Sequence, residues 1–259
     1  MDLGIAGRKA IVCASSRGLG RACAERLAEA GCDVVVNGLD RDRLEATATE
    51  IRERTGARIT AVAADVSKPE GQAALFAASG EPDILVNNNA GPPFRDFREL
   101  DRTKMIEGVV ANMITAIELT QKVINPMVAR KFGRIVNITS GSVKMPLAGL
   151  DLSSGARAGL TGFMAGVARS VAGQNVTINF MLPGAFETDR LRHNFVSNAK
   201  KRGVSVEQVG AERIASIPAR RLGQPDEFGA VCAFLCSVHA GYITGQSVLL
   251  DGGAFPGVM

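Results

Sequence analysis

The chain has 259 residues, of which 46% are hydrophobic and 22% charged, and its formal net charge is +4. Those values exclude wholesale disorder and suit one large α/β domain better than two small ones. The charge is mild, no Lys/Arg-rich block or tryptophan is present, and the two histidines, His193 and His239, lie far apart, which argues against nucleic-acid binding and a metal site.

The first residues, MDLGIAGRKAIVCA, carry an acid and a short β-like run instead of the basic-then-apolar pattern of a signal peptide. No apolar run reaches the roughly 18 residues that span a bilayer, so the expected compartment is the cytoplasm, with no membrane partner. Apolar runs then alternate with amphipathic stretches. Expected strands are Lys9–Ala14, Asp33–Asn37, Arg58–Ala63, Ile84–Asn87, Arg134–Ile138, Val176–Leu182 and Ser247–Leu250. Most are continuous and rich in Val and Ile, as strands buried on both faces are. Between them the spacing predicts helices such as Arg21–Ala30, Arg41–Thr55, Met105–Arg130 and Ala156–Ala172. Strand, helix, strand at this interval implies an α/β fold, a doubly wound parallel sheet of about seven strands with helices on both faces. No linker or repeat divides residues 1–259, so one domain is expected. The least regular stretch, 186–217, is polar and follows a strand end. It reads equally as a substrate lid or as an exposed connection. The five cysteines, Cys13, Cys23, Cys32, Cys232 and Cys236, lack metal-ligand spacing and read as buried apolar residues.

The first strand runs into CASSRGLGRACAERLAEAG, with Gly18 and Gly20 where strand turns into helix. Glycines there let backbone approach a pyrophosphate, and the helix start offers it free N–H groups. Further motifs follow in order. They are Asp65-Val66 in AADVS, Asn88-Asn89-Ala90-Gly91 after an extra Asn87, Asn112 in VVANMITAIELTQ, and Ser140 in GRIVNITS. Pro183-Gly184 with Thr188 and the closing YITGQSVLLDGG complete the series.

Taken together and over the whole length, these motifs resemble the short-chain dehydrogenase/reductase family, which implies a Rossmann fold. The family's opening motif, T-G-x-x-x-G-x-G, reads here Cys13-Ala14-Ser15-Ser16-Arg17-Gly18-Leu19-Gly20, so Ala14 replaces the first glycine. The resemblance implies that Ala14, Ser16, Arg17, Gly18, Leu19 and Gly20 bind a dinucleotide. It implies that Asp65 and Val66 hold the adenine, and that Asn88, Ala90, Gly91, Pro183, Gly184 and Thr188 serve the rest of the cofactor. The acidic residue that in the family favours NAD falls at Gly38, and the next position, often arginine in NADP-preferring members, is Leu39. With no carboxylate to repel a 2′-phosphate and Arg17 available to chelate it, NADP is expected, with NAD the alternative. Arg41 and Arg43 lie close in sequence and read as solvent-facing.

The catalytic pair is altered. The family carries Y-x-x-x-K, the tyrosine 13 residues after the serine; counting from Ser140 gives Ser153, and Arg157 stands where lysine belongs. The only tyrosine is Tyr242, which reads as structural. An aliphatic hydroxyl is a far weaker acid than a phenol, whose pKa is about 10, and arginine practically never deprotonates. Of the nearby groups, Asp151 reads as a loop residue capping the next helix and Lys144 as an exposed loop lysine.

The resemblance therefore implies an oxidoreductase similar to 3-oxoacyl-carrier-protein reductases, with Ser140, Asn112, Ser153 and Arg157 as the catalytic set and an altered proton path. Its substrate would be a small carbonyl or alcohol, an acyl thioester among the options. The alternatives are a non-catalytic dinucleotide-binding or regulatory protein and a non-redox enzyme using Arg157. The resemblance also implies a homotetramer or homodimer joined through Met105–Arg130 and Ala156–Ala172. Gly159, Gly162, Ala165 and Gly166 suit close approach there or within one chain.

Overall fold

Alternation along the strands decides the architecture. In β1 (Lys9–Val12), Ala10 and Val12 join one core while Ile11 joins another; in β2 (Asp33–Gly38), Val34 and Val36 oppose Val35 in the same way. The computed structural model describes residues 1–257 and places these strands in a seven-stranded parallel sheet of order β3-β2-β1-β4-β5-β6-β7. The others are β3 (Ile59–Ala63), β4 (Ile84–Asn87), β5 (Gly133–Ile138), β6 (Val176–Pro183) and β7 (Ser247–Leu250). Helices α1 (Gly18–Glu29), α2 (Arg41–Thr55) and α9 (Pro225–Cys236) cover one face. Helices α3 (Pro69–Ser79), α5 (Thr115–Ala129) and α6 (Asp151–Val171) cover the other. The remaining helices are α4 (Arg102–Val109), α7 (Asp189–Arg202) and α8 (Val206–Ala215). Strand order reverses between β1 and β4, and a ligand crevice opens at the carboxyl ends of strands at such a point.

Several element ends differ from the sequence expectation, each for a local reason. β1 stops at Val12 because Ala14 turns the chain. α1 begins at Gly18 and α6 at Asp151, which puts Ser153 inside the first turn of α6. Asp151 is exposed in that turn and caps nothing, contrary to its reading as a capping residue. Met105–Arg130, but for its last residue, lies in one unbroken helical run, Arg102 to Ala129, that widens in the middle. α4 and α5 are joined by a widened π-type turn, Val110–Ile114, where the Thr115 hydroxyl bonds the Val110 carbonyl at 2.9 Å.

The stretch 186–217 is helical rather than irregular. Thr188 caps α7, Gly203 ends it in the left-handed region at φ 66°, and Ser205 caps α8. Few apolar residues are buried there, so no strong periodicity marked the helices. All five cysteines are buried. Tyr242 is fully exposed, so it does not support the fold by packing as expected. Among the described residues no helix is long and apolar enough to cross a membrane.

Candidate active site

The nucleotide end is held by backbone contacts. Ala14 has a φ of 45°, a left-handed conformation that glycine usually fills. Its N–H donates to Asn37 Oδ1 and its carbonyl accepts from Asn88 Nδ2, both at 3.2 Å. Asn37 is itself anchored, donating to the Val62 and Ala64 carbonyls at 3.0 and 2.9 Å. The surroundings thus hold an alanine in glycine's conformation, at a cost of about 1 kcal/mol. A Cβ on Gly20 would stand 2.3 Å from the Ala14 carbonyl oxygen, so α1 and the loop touch backbone to backbone. The first turn of α1 contains no acid, and among the described residues no side chain caps it. Its N–H groups and positive dipole end are therefore available to an anion.

Gly38 ends β2 beside this loop. A Cβ there would meet Ser16 Cβ and Oγ at 3.1 Å, so Ser16 itself crowds out a side chain. The Ser16 carbonyl accepts from Thr47 Oγ1 at 2.9 Å. Arg17 and Arg41 are exposed and, among the described residues, form no ion pair, whereas Arg43 lies 3.8 Å from Asp40. Two free guanidinium groups with no opposing carboxylate at Gly38 match the chemistry of a 2′-phosphate. Val66 is buried, and Asp65 is exposed with Oδ1 accepting the Ser67 N–H at 2.9 Å. Leu19 packs against the core, so its backbone alone is offered to a ligand.

At the other end, Ser140 Oγ accepts the Ser142 N–H at 3.1 Å, capping a short turn, Gly141–Val143. Its hydroxyl proton stays free to donate. Ser153 and Arg157 are buried one turn apart on the same face of α6. Arg157 Nε donates to Ser153 Oγ at 3.3 Å, Nη1 donates to the Ile138 carbonyl at 2.7 Å, and Nη2 reaches the Asn89 carbonyl at 3.5 Å. Because the Ser153 oxygen already accepts, its own proton points elsewhere. Burial and, after it, the nearby charge of Arg190 pull the Arg157 pKa down to about 10, which leaves the group cationic at neutral pH.

Cavities separate the two halves of this pair. One of about 220 Å³ is lined by Ser153, Asn112, Ala90, Pro92, Leu100 and Leu150, but not by Arg157 or Ser140. Behind it, a space of about 20 Å³ is lined by Arg157, Asn112, Asn87, Asn88 and Asn89. That suffices for one water. Asn112 sits in the π-type turn with Nδ2 donating to the Gly108 carbonyl at 3.1 Å. Its Oδ1 and that of Asn87 are buried without a protein partner.

The three consecutive asparagines have separate roles. Asn87 completes β4, bonding Asn137 Oδ1 at 3.0 Å; Asn88 braces Ala14; Asn89 bonds the Ala111 carbonyl at 3.0 Å and offers its own carbonyl to Arg157. Ala14, Gly18, Gly20, Asn88 and Thr188 gather around the α1 start, Thr188 lying 3.7 Å from where a Gly18 Cβ would be. A Cβ on Gly184 would stand 2.7 Å from Asp251 Cα, which keeps the Pro183-Gly184 turn tight against the strand-end loop. Ala90 lines the larger cavity and Gly91 lies under Arg190. Sequence reasoning named Asn87 and Asn89 with the asparagine motif but gave them no role of their own, and it gave none to Asn37 or Arg190. The signal for Asn37 is a polar residue closing an apolar strand run, and for Asn87 and Asn89 it is the asparagine motif itself.

With this geometry in place, three comparisons bear on the chain. Residues 13–254 match a family described as enoyl-(acyl carrier protein) reductase. NADPH-dependent reductase BacG of Bacillus subtilis is 32% identical over 257 residues, covering 97% of this chain and 99% of that protein. The 3-oxoacyl-[acyl-carrier-protein] reductase FabG of Aquifex aeolicus is 32% identical over 259 residues, covering 98% and 100%. The solved structure of L-sorbose reductase from Gluconobacter frateurii, complexed with NADPH and L-sorbose, superposes with a TM-score of 0.94 at 29% identity, covering 100% of both chains.

Proposed function

The chain belongs to the short-chain dehydrogenase/reductase family, and on that premise we propose that it is an NADP-dependent carbonyl reductase, similar to 3-oxoacyl-[acyl-carrier-protein] reductases, in which Ser153 backed by Arg157 replaces the phenol. The observation that carries the reading is the Arg157 Nε–Ser153 Oγ hydrogen bond. A fixed cation donating to the hydroxyl oxygen polarises the O–H and turns its proton toward the 220 Å³ cavity that Ser153 lines.

The N–H groups at Gly18, Leu19 and Gly20 hold the pyrophosphate, Arg17 and Arg41 the 2′-phosphate, and Asp65-Val66 the adenine. Ala14 and Ser16 shape the loop, while Ala90, Gly91, Pro183, Gly184 and Thr188 border the nicotinamide end. When bound, the nicotinamide supplies the hydride. Ser153 and Ser140 donate hydrogen bonds to the substrate oxygen, and the charge of Arg157 stabilises the negative charge that develops there. Asn112 and Asn89 hold the surroundings of Arg157. Water entering the larger cavity supplies the proton. Its apolar walls, with Pro92, Pro93, Leu100, Leu150 and Leu152, suit the acyl part of a thioester.

The α7–α8 pair acts as the substrate lid, its inner faces bounding a further space of about 240 Å³ that Leu191, Phe195 and Val206 line. The subunits associate as a homotetramer or homodimer through α6, where Gly162 and Gly166 face open space and Phe163 is half-exposed. Gly159 is closed off by Met113 Sδ at 3.0 Å and belongs to packing within the chain.

Purified protein is assayed for NADPH oxidation with ketones and 3-oxoacyl thioesters. Turnover is expected, reduced about 10–100-fold in Ser153→Ala with KM little changed. Activity no greater than that of a Ser140→Ala control, with NADP still bound, overturns the catalytic reading in favour of a nucleotide-binding protein.

A further inference from the structure

Arg190, the second residue of α7, has no counter-ion among the described residues, although Arg192 and Arg202 on the same helix pair with Glu187 and Glu212 at 2.9 and 2.7 Å. It is accessible to solvent, and its one hydrogen bond is a long one, Nη2 to the Gly91 carbonyl at 3.4 Å. Arg134 makes a useful contrast. It too lacks a carboxylate, but its Nε, Nη1 and Nη2 donate to protein oxygens at 2.8–3.2 Å, so its donors are used up inside the fold. The donors of Arg190 remain open.

Three positive features converge where Arg190 lies. Its guanidinium rests so close to Gly91 that a Cβ there would stand 2.9 Å from Nη2. Arg157 reaches the same loop from the sheet side, through the Asn89 carbonyl. Burial first, and then the charge of Arg190, lowers the Arg157 pKa. Thr188, which caps α7, lies over Gly18 at the acid-free start of α1. Like charges gathered without an intervening acid repel unless an anion separates them.

We infer that Arg190 is a cofactor-binding residue, gripping the dinucleotide pyrophosphate from the lid side, opposite the N–H groups of α1. This rests on the NADP reading above. It makes α7 part of the nucleotide site, so that binding the cofactor holds down the helix that borders the substrate. Arg190 stands two residues beyond Thr188, where the motif that begins at Pro183-Gly184 ends, which is why the sequence alone did not single it out.

Calorimetric titration of the full-length protein with NADP, NAD and 2′-AMP tests this. Arg190→Ala weakens NADP and NAD by the same factor, about tenfold to a hundredfold, as expected for loss of a charge-assisted hydrogen bond. It leaves 2′-AMP, which has no pyrophosphate, unchanged, and Arg190→Lys recovers part of the loss. Arg17→Ala shows the opposite selectivity, weakening NADP and 2′-AMP but not NAD. Wild-type affinity for NADP in Arg190→Ala overturns the assignment, as does an equal loss for 2′-AMP. Wild-type protein that takes up neither dinucleotide overturns the NADP reading and this assignment with it, whereas unaltered binding in Arg190→Ala alone leaves the NADP reading intact.

Discussion

The Ala14 loop and the Ser153 turn lie on either side of the asparagine run, one braced by Asn88 and the other linked to Asn89, and they have absorbed substitution differently. At the loop, the family glycine has become alanine, yet the backbone still adopts glycine's conformation because Asn37 and Asn88 hold both of its polar groups. At the turn, Ser153 and Arg157 share one face of α6, and on the proposed reading the chemistry changes there because it belongs to side chains. A site built from N–H groups survives replacement of the residues that carry them; a site built from a phenol does not.

The contrast can be sharpened from the catalytic side first, where the effect is largest. Ser153→Tyr with Arg157→Lys restores a general acid–base pair on an unchanged helix face, and a gain in turnover of about 100-fold is expected. Steady-state ketone reduction measures it; no gain would mean that the two ends differ in the shape of the cleft as well as in chemistry.

The next prediction tries to break the loop. In Gly20→Ala, a Cβ would fall 2.3 Å from a backbone oxygen and 2.8 Å from Asn88 Nδ2, neither of which moves without the other. A loss of about 3 kcal/mol is expected, seen as a fall in Tm of roughly 6–12 °C together with weaker NADP binding. A Tm within about 2 °C of wild type would show the contact to be soft.

Ala14→Gly relieves the left-handed alanine but frees the unfolded chain, so the two terms partly cancel. The net expectation is a stabilisation of at most about 0.6 kcal/mol and a Tm rise of no more than roughly 2 °C by calorimetry. A fall in Tm would mean that the alanine methyl contributes packing that outweighs its strain.

The smallest effect concerns pH. Arg157, pulled down only to about 10, stays charged throughout the neutral range, and Ser153 does not ionise there. Reduction at saturating substrate is expected to vary less than about twofold between pH 6 and 9, while the Tyr/Lys variant gains a titrating step. The stability term has the opposite sign from that of an ion-paired base. Burial penalises the charged form, so as pH rises above about 10 the unfolded chain binds more protons than the folded one, and this group's contribution rises with pH. A bell-shaped wild-type profile centred near neutrality would point to an acid other than Ser153.

The sequence by itself determined the architecture, the order of the strands' apolar runs, the glycine loop, and the presence of Ser153 and Arg157 at the spacing where the family resemblance expects tyrosine and lysine. These are local properties: buried strands need unbroken apolar runs, and a fixed spacing on one helix brings residues four apart together. Tertiary structure decided the rest. That Ala14 is held in a left-handed turn depends on Asn37 and Asn88, which are 23 and 74 residues away. That Arg157 faces inward, toward Ile138 and Asn89, and leaves Ser153 facing the cleft depends on the meeting of β5, the asparagine run and α6. That 186–217 forms two helices with Arg190 at their entrance depends on capping and on packing against the strand ends, which a polar stretch does not advertise. Hydrogen bonds between distant segments leave no period in a sequence; only the folded chain brings their partners together.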